Sequence, residues 1–101
     1  MKSAHTFEDL SQVSGFELFQ NYPDPFSFET TIWFALSEKE HVRIEVYDAI
    51  GRSIKTITDQ EYNSGYHKVV FENEGLSEGN YFYRIQAGSF HDVKQMIVFD
   101  N

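Results

Sequence analysis

From His41 to Arg52 the chain reads HVRIEVYDAIGR, and this stretch constrains the fold more than any other. Val42, Ile44 and Val46 alternate with Arg43, Glu45 and Tyr47, which puts apolar side chains on one face of a strand and polar ones on the other. The alternation stops at Asp48-Ala-Ile-Gly51. Asp48 can hydrogen-bond its own downstream backbone, and Gly51 can take a positive φ at no steric cost. Ser53 then resumes an extended pattern, so the stretch spells a strand, a four-residue corner and a return. None of it has catalytic character.

The same pattern recurs along the chain. Phe16 to Gln20 predicts a first short strand, running into Asn21-Tyr-Pro-Asp-Pro-Phe26. Two prolines one residue apart each lack a donor and restrict their predecessors, so this segment belongs at an edge or a corner. Thr30 to Leu36 (TTIWFAL) predicts a strand with Ile32, Phe34 and Leu36 on one face and Trp33 on the other. Ser37 to Glu40 is read as a charged hairpin connection. Ser53 to Thr58 carries Ile54 and Ile57 three apart, which suits a bulged strand, and Asp59 to Ser64 is read as a loop. Gly65 opens a strand with His67, Val69 and Phe71 in phase, and Asn73-Glu-Gly75 and Ser77-Glu-Gly79 mark the next turn. Asn80 to Ala87 sets Tyr81, Tyr83 and Ile85 against Phe82, Arg84 and Gln86, and Gly88-Ser89 suits a primed hairpin turn. In the last strand, Phe90 to Phe99, Met96 and Val98 fit one face and Val93, Ile97 and Phe99 the other, so the pattern leaves its phase open. Seven short strands with turns between them predict an all-β fold, a seven-stranded antiparallel immunoglobulin-like β-sandwich.

A chain of 101 residues fits one domain. Met1 to Gly15 is polar; Phe7, Leu10 and Val13 are spaced for about two helical turns, too short to be stable alone. Residues 1–15 are therefore read as a linker or appended arm and 16–101 as the domain. The absence of cysteine excludes disulfides, zinc-thiolate sites and cysteine nucleophiles. A formal net charge of -8 opposes binding to nucleic acid or anionic lipid. No apolar run is long enough to span a bilayer, and Met1 to Gly15 lacks the apolar core of a secretory signal. Export would have to be directed by a leader outside this sequence; otherwise the chain is cytoplasmic.

Candidate chemistry is sparse. The histidines at 5, 41, 67 and 91 lack ligand spacing, and Asp24, Asp48, Asp59 and Asp92, all near expected loops, form no D-x-D-x-D cluster. Neither a metal nor another cofactor is expected. Glu38 with Glu40 and Glu72 with Glu74 are paired in sequence, but strand-end charges are ordinarily solvated, and no enzymatic role is expected. Trp33 and Phe82 both lie opposite an apolar strand face, so an aromatic platform for sugar rings, in an accessory carbohydrate-binding module of a secreted enzyme, is the alternative function. Arg84 is a candidate to lie over one of these rings as a cation–π pair.

Five segments together go further. Leu18 to Phe26 (LFQNYPDPF), Thr30 to Leu36, Val42 to Arg52, Gly65-Tyr-His67 and Gly79 to Ile85 (GNYFYRI) resemble, in order and spacing, the C-terminal sorting domain of type IX secretion substrates. The resemblance covers essentially everything after Gly15. It is similar in fold to the immunoglobulin-like domain of flagellar hook-capping proteins, which shares Y-D-x-x-G-R and G-x-Y-x-Y-R but lacks the Q-N-Y-P-x-P-F lead.

The resemblance implies a non-catalytic module that directs a larger secreted protein across the outer membrane, with the type IX machinery and an N-terminal passenger as partners and the cell surface or medium as destination. It implies recognition roles for Pro23, Pro25 and Phe26, for Gly79 and Tyr81, and for Lys94, Met96 and Val98 in the Lys94 to Val98 run. Asp24 stands where Asn is usual, Ser37 where Pro is usual and Phe71 where Trp is frequent; Asp100-Asn101 follows the final apolar run where a basic residue is usual. An unpaired edge on the last strand is expected to be open to strand addition by the machinery. The isolated domain is expected to be a monomer, with an edge-strand dimer as the alternative.

Overall fold

The computed structural model describes residues 14–100. The helical turns considered for Met1 to Gly15 fall almost wholly outside them. Seven strands follow in order: β1 (Glu17–Leu18), β2 (Glu29–Leu36), β3 (Glu40–Tyr47), β4 (Ser53–Tyr62), β5 (Gly65–Glu72), β6 (Gly79–Ala87) and β7 (Phe90–Val98). They form a three-stranded sheet in the order β1-β2-β5 and a four-stranded sheet in the order β4-β3-β6-β7. Every strand pair is antiparallel. The described residues contain no helix, and the architecture is the immunoglobulin-like sandwich predicted from the strand count.

The two sheets meet through the alternating residues. Ile32, Phe34 and Leu36 of β2 face Val42, Ile44 and Val46 of β3 and Tyr83 and Ile85 of β6 across one core, all fully buried. β7 resolves its ambiguous phase by register: Met96 stands opposite Tyr81 and Val98 opposite Gly79 on the inner side, which turns Val93, Ile97 and Phe99 outward.

The Asp48 corner forms as its residues dictate. The Asp48 carboxylate accepts from the backbone N–H groups of Ile50 (3.1 Å) and Arg52 (2.9 Å) and from the Arg52 guanidinium (2.7 Å). Gly51 sits at φ 90°, where a side chain would be strained. Hydrogen bonds from Arg52, its backbone N–H foremost, hold the Asp48 carboxyl below its usual pKa.

Three local expectations are corrected. Asp59 to Tyr62 is strand rather than loop: it pairs with Glu40 to Arg43 at an edge, where Asp59 to Glu61 are exposed and only Tyr62 packs on the core, so no apolar alternation is required. Ser37 to Lys39 is not a hairpin connection, because β2 pairs only with β1 and β5; the chain crosses there from one sheet to the other. The first strand shrinks from Phe16–Gln20 to Glu17–Leu18, since beyond Leu18 the contact with β2 continues only as the Phe19–Trp33 hydrogen bond and an isolated Tyr22–Thr31 bridge. The irregularity expected at Ile54 and Ile57 is present: β3 steps from Thr58 to Thr56 and from Lys55 to Ser53, leaving each isoleucine as the extra residue of a bulge.

Candidate functional site around the last strand

The motifs that are separate in sequence converge on β7. On its inner flank β6 supplies Gly79 opposite Val98 and Tyr81 opposite Met96. On its outer flank the proline segment runs alongside. Phe26 forms a parallel bridge with Val98: its N–H donates to the Ile97 carbonyl and its carbonyl accepts from the Phe99 N–H, both at 3.0 Å. The Ile97 N–H donates to Asp24 Oδ1 (2.9 Å), and Gln20 Nε2 donates to the Gln95 carbonyl (2.6 Å). The outer edge of β7 is therefore occupied from Gln95 to Phe99. The expectation of a wholly unpaired final edge is corrected: a segment that cannot join a regular ladder, because it carries prolines, covers half of it with side chains and one isolated bridge.

A buried polar clamp shapes the proline segment. Asn21 and Thr30 are the two polar residues in the core. Thr30 Oγ1 donates to the Pro23 carbonyl (2.8 Å) and accepts from Asn21 Nδ2 (2.9 Å), which also reaches Pro23 O (3.2 Å). Gln20 Nε2 completes the set by donating to Asn21 Oδ1 (2.7 Å). Among the described residues no buried side-chain polar atom lacks a partner, as a low-dielectric interior requires. The backbone of Tyr22 meanwhile exchanges two 2.9 Å hydrogen bonds with Thr31. Sequence reasoning places Gln20 and Asn21 in the family's lead motif but gives neither them nor Thr30 a structural role, since polarity next to prolines also suits an ordinary solvated turn.

The tyrosines of β6 tie the same region down. The Tyr81 hydroxyl donates to the Ser77 carbonyl (2.7 Å), a tyrosine corner at the start of the strand. The fully buried Tyr83 hydroxyl donates to the Phe19 carbonyl of the opposite sheet (2.6 Å), and burial raises its pKa well above the ordinary value.

The residues implied by resemblance divide by exposure. Phe26, Tyr81, Met96 and Val98 lie in the core. Pro23 and Pro25 are exposed, and Gly79 and Lys94 are half-buried. Tyr22, between Asn21 and the first proline, is 79% exposed. Phe26 and Tyr81 build the two flanks of β7, and Met96 and Val98 are the inward residues of β7 itself.

The aromatic platform does not assemble. Trp33 points out from the β1-β2-β5 sheet and Phe82 from the β4-β3-β6-β7 sheet, so the two rings lie on opposite outer faces of the sandwich. The cation over Trp33 is Lys68, 5.5 Å from the ring centroid, and Arg84 instead donates to Gln86 Oε1. Register explains the first: Lys68 is the direct cross-strand neighbour of Trp33, whereas Arg84 belongs to the other sheet, where it shares the outer face of β6 with Phe82 but turns to Gln86. The loop carboxylates are dispersed. Asp24 serves β7, Asp48 its own corner, Asp59 accepts from His41 and Arg43, and Asp92 caps the Val93 N–H.

One charged cluster lies on the outer face of the four-stranded sheet. Glu45 accepts from Arg43 (3.0 Å), Tyr47 (2.7 Å) and Ser53 (3.1 Å), and these bonds, Arg43's foremost, lower its pKa to about 2. It is a cross-strand staple and faces no cleft.

Fold and site together define a small immunoglobulin-like β-sandwich module, in which the distinctive residues frame one terminal strand. The model of the family described as secretion system C-terminal sorting domain matches residues 20–99, and the chain belongs to that family. It is a sorting module of type IX secretion, which directs export to the cell surface or the extracellular space. No curated protein matches the chain.

Proposed function

We propose that the type IX machinery reads this domain in its folded state, at the face where Tyr22 to Pro25 lies along β7. Tyr22, Pro23, Pro25 and Lys94 are the contact residues in this reading. Phe26, Gly79, Tyr81, Met96 and Val98 act from beneath, by fixing the course of the proline segment and of β7. The domain itself performs no catalysis, and its cargo is a passenger joined on the N-terminal side.

The observation that carries this reading is the convergence: the QNYPDPF lead and the terminal strand, far apart in the chain, share backbone hydrogen bonds at Phe26, Ile97 and Phe99. Exposed proline and aromatic side chains on such a braced segment offer a rigid surface, which costs little conformational entropy to bind.

The test is export of a fluorescent passenger that carries an inner-membrane signal and this domain at its C-terminus, in cells with and without a working type IX apparatus. Surface or medium fluorescence should depend on the apparatus and fall in Tyr22→Ala and Lys94→Ala variants whose thermal unfolding matches the parent domain. Full export of both well-folded variants would refute the contact assignment. Export that is indifferent to the apparatus would refute the route.

A further inference from the structure

The four sheet edges differ sharply in how they are protected. β1 is two residues long. β7 is covered from Gln95 to Phe99 by the proline segment. β4 carries two bulges and a line of charged residues that engage Lys39, His41 and Arg43. Bulges, short strands and charge are the ordinary means of blocking edge pairing. β5 is the exception. Its eight residues, Gly65–Glu72, pair with β2 without a register shift and contain no proline.

The Asn73 N–H donates to the Phe28 carbonyl, which fixes the parity of the ladder: odd-numbered residues of β5 bond β2, and even-numbered ones point away. The backbone N–H and C=O groups of Tyr66, Lys68, Val70 and Glu72 thus line an open edge and have no partner among the described residues. The side chains of Tyr66 and Val70 are 49% and 47% exposed on the outer face beside it.

The order of side chains along this edge is self-complementary. An antiparallel pairing about Val70 puts Val70 against itself and, on both sides of the two-fold axis, Lys68 against Glu72. In this register the open groups also meet as hydrogen-bonded pairs, two bonds at Val70 and two at each Lys68–Glu72 pair; an axis at Val69 joins them too, but sets Lys68 against Val70 and Glu72 against Tyr66, with no opposite charges facing. Moving the axis to Lys68 would oppose two lysines. Within the single chain Glu72 stands opposite Glu29, a like-charge pair that a facing lysine would offset. We propose that the partner of this edge is a second copy of the chain, paired antiparallel through β5 about Val70 so that the three-stranded sheets join into one six-stranded sheet. Edge pairing alone buries less surface than a standard stable interface, so the dimer is weak and driven by concentration.

Sedimentation equilibrium of the domain across micromolar to millimolar concentrations tests the proposal, with far-UV circular dichroism and thermal melts of every variant as folding controls. The expected result is a reversible monomer–dimer equilibrium. Val70→Pro removes an N–H that serves no bond inside the chain, at an edge position where proline is tolerated, so the variant should keep its strand content and lose the dimer. Lys68→Glu and Glu72→Lys should each weaken association about tenfold, since each creates two like-charge cross-strand pairs. Combining them restores both pairs with the signs exchanged and should restore the dimer. Trp33 is the only tryptophan and carries Lys68 over its ring, so its emission should shift with dimer formation and provide a second reading. A monomer at all concentrations up to about 1 mM, a dimer that survives Val70→Pro, or a double variant no tighter than the single ones would overturn the proposal.

Discussion

Thr30→Val isolates the buried clamp beneath the proline segment. The substitution keeps the shape and removes the hydroxyl, which donates to Pro23 O at 2.8 Å and accepts from Asn21 Nδ2 at 2.9 Å in a fully buried position. Leaving a buried group without its partner costs about 1 to 3 kcal/mol. Two groups are affected, but Asn21 Nδ2 and Pro23 O retain each other at 3.2 Å, so each falls at the low end of that range. The added methyl returns about 0.8 kcal/mol of apolar burial. The net loss is about 1 kcal/mol, which lowers the melting temperature of a domain this size by roughly 4 to 8 °C. Urea denaturation gives the free energy directly. Thr31→Val is the control: that side chain is on the outer face and half-buried, and its replacement should cost under about 0.5 kcal/mol. A double-mutant cycle with Asn21→Ala should return a coupling of about 1 kcal/mol. Equal losses at Thr30 and Thr31, or a Thr30→Val loss under about 0.5 kcal/mol, would refute the clamp as a source of stability.

Other outcomes follow from the same geometry. Glu45 has a folded-state pKa of about 2, below its unfolded value, so its stabilising effect is complete above the ordinary carboxylate range and is lost as pH falls from that range through about 2. Acid titration of the unfolding free energy should therefore show a steeper limb in the parent than in Glu45→Gln, with the variant less stable near neutrality by about 1 kcal/mol. Met96→Ala, at a fully buried site, should lose about 2 to 5 kcal/mol and lower export in proportion to unfolding, whereas Tyr22→Ala should leave stability within about 0.5 kcal/mol while lowering export. Gly51→Ala meets no atom within 4 Å of its new methyl, so its cost is the positive φ alone, about 1 to 2 kcal/mol by urea denaturation.

Much of the framework is legible along the chain. The alternation in Val42 to Val46, Ile32 to Leu36 and Tyr81 to Ile85 fixed strand identity and inward face, because period two in a half-buried strand is a local property. Asp48 and Gly51 wrote their corner for the same reason: a carboxylate bonding its own backbone and a residue free to take positive φ need nothing distant. The bulged strand was legible at Ile54 and Ile57, where apolar residues fall out of phase. Polar edges carry no such signal. Asp59 to Tyr62 reads as a loop because three exposed polar residues at a sheet edge show no hydrophobic period, and only their pairing with β3 reveals the strand.

The sequence by itself determined the all-β class, the strand count and the family motifs, since each rests on residues close together in the chain. The tertiary structure decided where those motifs meet. Whether Trp33 and Phe82 share a surface depends on sheet assignment, which follows from which strands pair and not from either strand's own pattern. Asn21 and Thr30 become a clamp, and Phe26 becomes a cover for β7, only when the two sheets close and bury polar groups that must then find partners. The phase of the last strand is settled in the same way, because its apolar residues suit either face until β6 sets the register.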